Sequence, residues 1–215
     1  MSRYEIVGDN GSHFEPGSNN LVLKNQLGIT SESEIVIVES LALADAKVKV
    51  LEWFEEETVI TAKLICDLHK IWLGSTYSFA GQFRTVNMSK PGVMFSVAEY
   101  IPGNMEAFEK DYLQALTPCK GLNLVEVCDR VAKVHAELLL IHPFREGNGR
   151  LARWIADLMV LQAGFPAPNY DIYGRNAESG LKTYYAALQI GFFSQDTSEL
   201  SQLFRRWVMA GKGKS

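Results

Sequence analysis

Residues 141–153 read Ile-His-Pro-Phe-Arg-Glu-Gly-Asn-Gly-Arg-Leu-Ala-Arg. The imidazole of His142 belongs to the one side-chain type that ordinarily titrates near pH ~6.5, which suits a general base that takes a proton from a hydroxyl. Pro143 has no N–H and ends the helix before it. Gly147 and Gly149 let the backbone reach dihedrals that other residues resist. A Gly-Asn-Gly turn running into a helix aims several N–H groups one way, and with the helix dipole this makes an anion-binding nest of Gly147, Asn148 and Gly149. Arg150 and Arg153 are three apart in the first turn of that helix and share a face. Cations there oppose the dipole by a few tenths of a kcal/mol or so, which points to an anion that neutralises them. A polyphosphate fits, because each guanidinium binds it bidentately. Glu146 adds a hard oxygen, and a carboxylate among phosphate-binding groups points to a divalent metal, most simply Mg²⁺. Together these groups describe nucleotide-phosphate chemistry: a base activates an alcohol, a nest cradles phosphates, and a metal and arginines stabilise developing charge.

The elements that position this loop read as helices. After Ser33, a plausible N-cap, Ile35, Val38, Leu41, Ala42, Asp45, Val48 and Leu51 recur at helical spacing. The run Ile35–Val38 is also compatible with a strand. Thr61 to Leu73 repeats the helical pattern, with Gly74 at a C′ position. Residues 75–102 break it, and short apolar stretches around Lys90-Pro91-Gly92 predict a small β-hairpin with a Pro-Gly tip, over about 82–97. Helices resume at Asn104. Asn123 followed by Glu126 is a capping-box start, and the helix it opens runs to Ile141. Another is expected over 150–163, stopped by Gly164, and two more near 178–190 and 197–210. The fold class is therefore mainly α with one hairpin.

Composition narrows the function further. The chain has 215 residues, 47% hydrophobic and 21% charged, with net charge −4. It is long enough to bury a core and has no basic field for a nucleic-acid backbone. Nucleic acid and membrane are therefore not expected partners, and no window of about 18 apolar residues spans a bilayer. Residues 1–20 read as a flexible arm and lack the apolar core of a signal peptide. Residues 21–215 read as the folded domain. Three cysteines without a C-x-x-C pair imply free thiols in a reducing compartment, so the expected location is cytoplasmic. Cys128, His135 and His142 are seven apart, about 10 Å of helix rise each, too far for one ion. Gly213-Lys214-Ser215 mimics the end of a P-loop but has Val208 where its first glycine belongs.

The segment from His142 to Arg153 resembles the signature of the Fic family, H-P-F-x-[D/E]-G-N-G-R-x-x-R, at all nine fixed positions. Ala80–Lys90 and Glu99–Pro102 resemble the family's flap region, and Asn20–Ile29 resembles a segment found before its helical core. The resemblance implies a Fic-type helical domain with a hairpin flap beside the active site, and transfer of AMP from ATP to a Ser, Thr or Tyr hydroxyl of a protein. It implies His142 as the base, Glu146 as the holder of Mg²⁺, Gly147–Gly149 as the anion hole with Asn148 orienting the α-phosphate, and Arg150 and Arg153 on the β- and γ-phosphates. It further implies that Phe144 pins the loop and that Tyr184 and Tyr185 line the nucleoside site. On the flap, Val93, Met94 and Phe95 would clamp an extended target segment by strand addition. ATP and Mg²⁺ are the implied cofactors. A protein substrate, which includes the chain itself, an inhibitory antitoxin-like protein and a homo-oligomer are the implied partners.

Departures from the family pattern also count. Gly147 and Gly149 argue against the kinase-like relatives that carry other residues there. The family's inhibitory [S/T]-x-x-x-E-[G/N] segment is not found in the chain, and Phe192 stands where some relatives have an Asn. Two readings remain beside AMP transfer: a Fic-fold transferase of UMP, phosphocholine or a phosphoryl group, and a catalytically silent nucleotide-binding module held by a partner.

Overall fold

Helix α1 (Glu32–Leu51) is capped by Ser31, whose hydroxyl accepts the Glu34 N–H at 3.4 Å, with Glu32 and Glu34 in the first turn. The cap is thus two residues earlier than Ser33, which bonds the Ser31 hydroxyl instead. The computed structural model describes residues 5–7, 13–170 and 177–211. Helix α1 buries Ile35, Glu39, Ala46 and Val50 and leaves Ile37, Leu41, Val48 and Leu51 exposed. Leu41, expected on the buried stripe, faces out because apolar residues surround this helix and its periodicity does not choose a face.

Helix α2 (Ala62–Leu73) follows and buries Ile65, Leu68, His69, Trp72 and Leu73. Gly74 bonds back to Lys70 O at 2.8 Å without adopting the left-handed cap conformation. Strand β1 (Glu5–Val7) pairs antiparallel with β2 (Asn87–Lys90), which pairs antiparallel with β3 (Val93–Met94). The expected hairpin is present in shorter form with Gly92 at its tip (φ +80°). The expected N-terminal arm supplies the third strand. Its residues 13–20 also make ordered contacts: Phe14 bridges Leu23, and the Glu15 carboxylate accepts the Asn25 N–H at 3.0 Å. Residues 1–4 and 8–12 of that arm, and the Gly213–Ser215 mimic, lie outside the described residues.

Helix α3 (Ile101–Phe108) starts three residues before Asn104, with Pro102 in its first turn, where a missing N–H does no harm. It runs through a π-type turn, Glu109–Leu113, into α4 (Gln114–Leu116). Helix α5 (Leu124–Ile141) opens with the expected capping box: Asn123 Oδ1 accepts the Glu126 N–H at 3.1 Å, and Glu126 Oε2 accepts the Asn123 N–H at 3.0 Å. Helices α6 (Asn148–Gln162), α7 (Ala177–Ser194) and α8 (Ser198–Gly211) complete the chain. Gly164, at φ +78°, closes α6.

Two compact units divide these elements. One comprises Met1–Phe54, Ala62–Glu106 and Ile141–Leu151; the other comprises Glu55–Thr61, Ala107–Leu140 and Ala152–Ser215. The first centres on α1 against α2, with the sheet and the loop after α5. The second centres on Val131, His135, Ile155, Met159, Leu188, Phe204 and Trp207. There Phe204 and Trp207 meet edge to face at 5.2 Å. Among the described residues no helix is long and apolar enough to cross a membrane.

Candidate active site

The loop between α5 and α6 belongs to the first unit up to Leu151. Pro143 stops α5, and His142 turns into the left-handed region at φ +53°, a conformation that costs a non-glycine residue roughly 1–2 kcal/mol. Arg84, 3% exposed, holds it there. Its Nε donates to His142 O at 2.7 Å, one Nη donates to Ile141 O at 3.3 Å, and its backbone N–H donates to Pro143 O at 2.8 Å. The same guanidinium donates to Val86 O at 2.6 Å and Ser96 O at 2.5 Å, at the two ends of the hairpin. Burial lowers the Arg84 pKa to about 10, so the group stays charged at neutral pH.

The hairpin reaches the base directly. The Phe95 ring stacks on the His142 imidazole, with centroids 3.7 Å apart and planes within 13°. Phe95 is buried, so of the three flap residues expected to meet a target, Met94 is the one that projects, 79% exposed, with Val93 half-buried beside it.

Phe144 is fully buried and stacks on His69 at 4.0 Å. His69 Nδ1 accepts the Gly81 N–H at 2.8 Å, so its proton sits on Nε2, which donates to Glu146 O at 3.1 Å. Burial lowers the His69 pKa to about 4, only partly opposed by the bond to Glu146. Asn148 closes the loop on itself: Oδ1 accepts the Phe144 N–H at 2.9 Å, and Nδ2 donates to Phe144 O at 2.7 Å. Its side-chain amide is thereby committed to Phe144. Helix α6 begins at Asn148, and the N–H groups of its first turn have no acceptor within the helix. Gly147 is at φ +83°, and a Cβ on it would lie 2.8 Å from the Trp72 ring, so only glycine fits this approach.

The acidic and basic groups of the loop interact. Glu146 Oε1 accepts the Gly147 N–H at 2.8 Å and lies 3.3 Å from Arg150. Arg150 also pairs with Glu39 on α1 at 2.7 Å and lies over the Trp72 ring, 4.7 Å from its centroid. Burial works against the Arg150 charge, but Glu39 and Glu146 more than offset it and raise its pKa. Part of the anion sought for Arg150 is therefore the protein's own Glu39. That carboxylate, 3% exposed, also accepts the Tyr77 hydroxyl at 2.6 Å, and its backbone carbonyl accepts the Trp72 indole N–H at 2.8 Å. Burial, then the Glu39 charge, raises the Tyr77 pKa, so the phenol remains a donor. Sequence reasoning assigned no role to Glu39, Arg84, His69, Trp72 or Tyr77. The available signal for Glu39 was a carboxylate in register with Ile35, Ala46 and Val50 on one helix face.

Among the described residues no group of three or more His, Cys, Asp or Glu side chains could hold a metal. Glu146 is a single carboxylate beside an anion nest, a donor set that fits Mg²⁺, which takes one or two carboxylates with phosphate oxygens and water.

The remaining expected residues belong to the second unit. Arg153 lies one turn further along α6, and its carbonyl accepts the Tyr170 hydroxyl at 3.1 Å. Tyr184 is buried and its hydroxyl bonds His135 Nε2 at 2.8 Å, while His135 Nδ1 bonds Ala152 O at 3.1 Å. Tyr185 is 49% exposed. The tyrosine pair thus splits between core and surface.

Residues 59–160 match the sequence profile of the Fic/DOC family. The chain is 31% identical over 172 residues to the protein adenylyltransferase VbhT of Bartonella schoenbuchensis, covering 77% of this chain and 33% of that protein. It is 29% identical over 192 residues to the protein adenylyltransferase fic-1 of Caenorhabditis elegans, covering 87% and 35%. The chain therefore spans about a third of the length of these curated relatives. In fold it resembles the BepC protein of Bartonella tribocorum, solved with bound AMPPNP, with a TM-score of 0.72 at 19% identity over 91% of this chain and 95% of that one. The helical fold with its hairpin, the loop at 142–153 and the profile match over residues 59–160 agree in their likeness to the Fic/DOC family.

Proposed function

We propose that the protein is an adenylyltransferase that moves AMP from ATP to a Ser, Thr or Tyr hydroxyl of a protein and releases pyrophosphate. The observation that carries this reading is the imidazole of His142, braced through Arg84 and Phe95 in the loop that runs into the N-terminus of α6. In this reading His142 takes the proton of the target hydroxyl. The oxygen then attacks the α-phosphorus, and the bond to the bridging oxygen of the β-phosphate breaks. Backbone N–H groups of Asn148 and Gly149 stabilise the charge that develops on the α-phosphate. Arg150 and Arg153 hold the β- and γ-phosphates. Glu146 holds Mg²⁺, which would neutralise charge on the α- and β-phosphates.

Tyr185, Met94 and Val93 extend the proposal outward. The exposure of Tyr185 supports it, of the pair, as the nucleoside contact in this reading. The exposure of Met94 on a short edge strand supports this hairpin as the acceptor of an extended target segment. The free thiols Cys66, Cys119 and Cys128 support a reducing, cytosolic setting.

The test supplies ATP labelled on the α- or the γ-phosphate to purified protein and lysate. Label from the α-position should reach protein, and His142→Ala should abolish the transfer. Transfer of the γ-label would indicate a phosphoryl transferase. No transfer from either position, with His142→Ala indistinguishable from wild type, would refute AMP transfer and leave a UMP or phosphocholine donor or the silent nucleotide-binding reading.

A further inference from the structure

We infer that Glu39 is a positioning residue for nucleotide phosphate capture, acting through Arg150. The inference rests on the proposed function and assigns a role to a helix outside the 142–153 loop. A guanidinium has five N–H donors. In Arg150, one Nη faces both Glu39 at 2.7 Å and Glu146 at 3.3 Å. Nε and the other Nη are taken by neither carboxylate. Glu39 is itself fixed, by the Tyr77 hydroxyl on its other oxygen and by α1, whose backbone takes the Trp72 indole N–H. Trp72 also supports the flat face of the guanidinium. The fork is therefore held in place and orientation by groups that a nucleotide does not touch, an arrangement that lowers the ordering cost of binding.

The shorter bond decides the division of labour. Glu39 holds Arg150 more closely than Glu146 does. Without Glu39, Arg150 has Glu146 as its one carboxylate partner and closes onto it, which takes the carboxylate away from a metal and turns the fork from the nest. Glu39 thus takes the shorter bond from Arg150 and leaves Glu146 the longer one. The cost of its absence falls on the outer phosphates that Arg150 would hold, not on the nucleoside monophosphate.

The experiment compares ATP and AMP affinity by calorimetry, with Mg²⁺ present, in wild type, Glu39→Gln and Glu39→Asp. One charged hydrogen-bonding partner is worth enough to weaken ATP about tenfold in Glu39→Gln, with AMP changed less than about twofold. Glu39→Asp, which keeps the charge, should recover part of the loss and tests the idea even where Glu39→Gln fails to fold. In an Arg150→Met background the same Glu39 substitutions should leave ATP affinity unchanged, since the effect is routed through Arg150. ATP and AMP weakened alike would mean a structural role only and overturn the inference. So would ATP affinity that is unaltered, or tightened because a competing carboxylate has been removed. Wild-type protein that binds neither nucleotide would instead overturn the proposed function.

Discussion

Arg84→Met is the substitution whose consequences the structure specifies most fully. The aliphatic stem is retained and the guanidinium is lost, so the carbonyls of Ile141, His142, Val86 and Ser96 lose their shared donor. Hydrogen bonds to a charged group contribute ~1.5–3 kcal/mol each, but four bonds to one group are not additive. The expected loss is about 3–5 kcal/mol, the size seen when one partner of a buried ionic contact is removed. A domain of ordinary stability survives that at low temperature. What should not survive is the placement of His142, because its left-handed backbone is held by the same guanidinium. Misplacing a catalytic base by about 1 Å costs up to ~100-fold. In adenylate transfer assays kcat should therefore fall at least about tenfold, while the KM for ATP moves less than about threefold. Arg84 touches neither Glu146 nor Arg150, and this is why the two constants separate. Arg84→Lys keeps the charge without the fork and should fall between. Urea titration and steady-state kinetics on the three proteins decide the matter. A Met variant within about 1 kcal/mol of wild type, with kcat intact, would refute the reasoning.

Two further predictions concern the scaffold of the loop. The pKa of His69 is depressed in the fold, to about 4, so the folded state favours the neutral ring. Between pH ~6.5 and ~4 the unfolded chain binds the proton and the folded chain does not, so stability is present above that window and is lost as pH falls through it. At about 1.4 kcal/mol per unit, the loss approaches ~3 kcal/mol. His135, lowered to about 3 by burial, adds a slope of the same sign. Urea unfolding at a series of pH values should show this fall, and His69→Gln should flatten it; an unchanged slope in that variant would exclude His69 as a source. Gly147→Ala places a methyl 2.8 Å from the Trp72 ring at φ +83°. The strained backbone alone costs ~1–3 kcal/mol, and the displaced indole lies under Arg150, so both stability and ATP affinity should drop. Unchanged thermal denaturation would show that the loop has room to spare.

The turn that joins α5 to α6 was legible in the sequence because it is local: Pro143 and the Gly-Asn-Gly turn act on neighbours a few residues away. The capping box at Asn123 and Glu126 was legible for the same reason. Glu39, Arg84 and His69 were not, since their partners are Arg150, the carbonyls at 141 and 142, and Glu146, far along the chain. Spacing carries no information about such pairs. The buried face of α1 escaped because apolar residues occupy both sides of the helix. The π-type turn at Glu109–Leu113 leaves the same apolar periodicity as a regular helix. Strand β1 was read as part of an arm, since three residues among Gly, Asn and Asp give no alternation to detect.

The positive φ of His142 has an evolutionary corollary. The proposed chemistry calls for an imidazole there, yet glycine or asparagine would fit the backbone with less strain. Where selection for the reaction lapses, drift at this position toward those residues meets little resistance from folding. Silent descendants of such an enzyme should therefore lose the base early, while Phe144, Asn148 and the rest of the corner persist as scaffold.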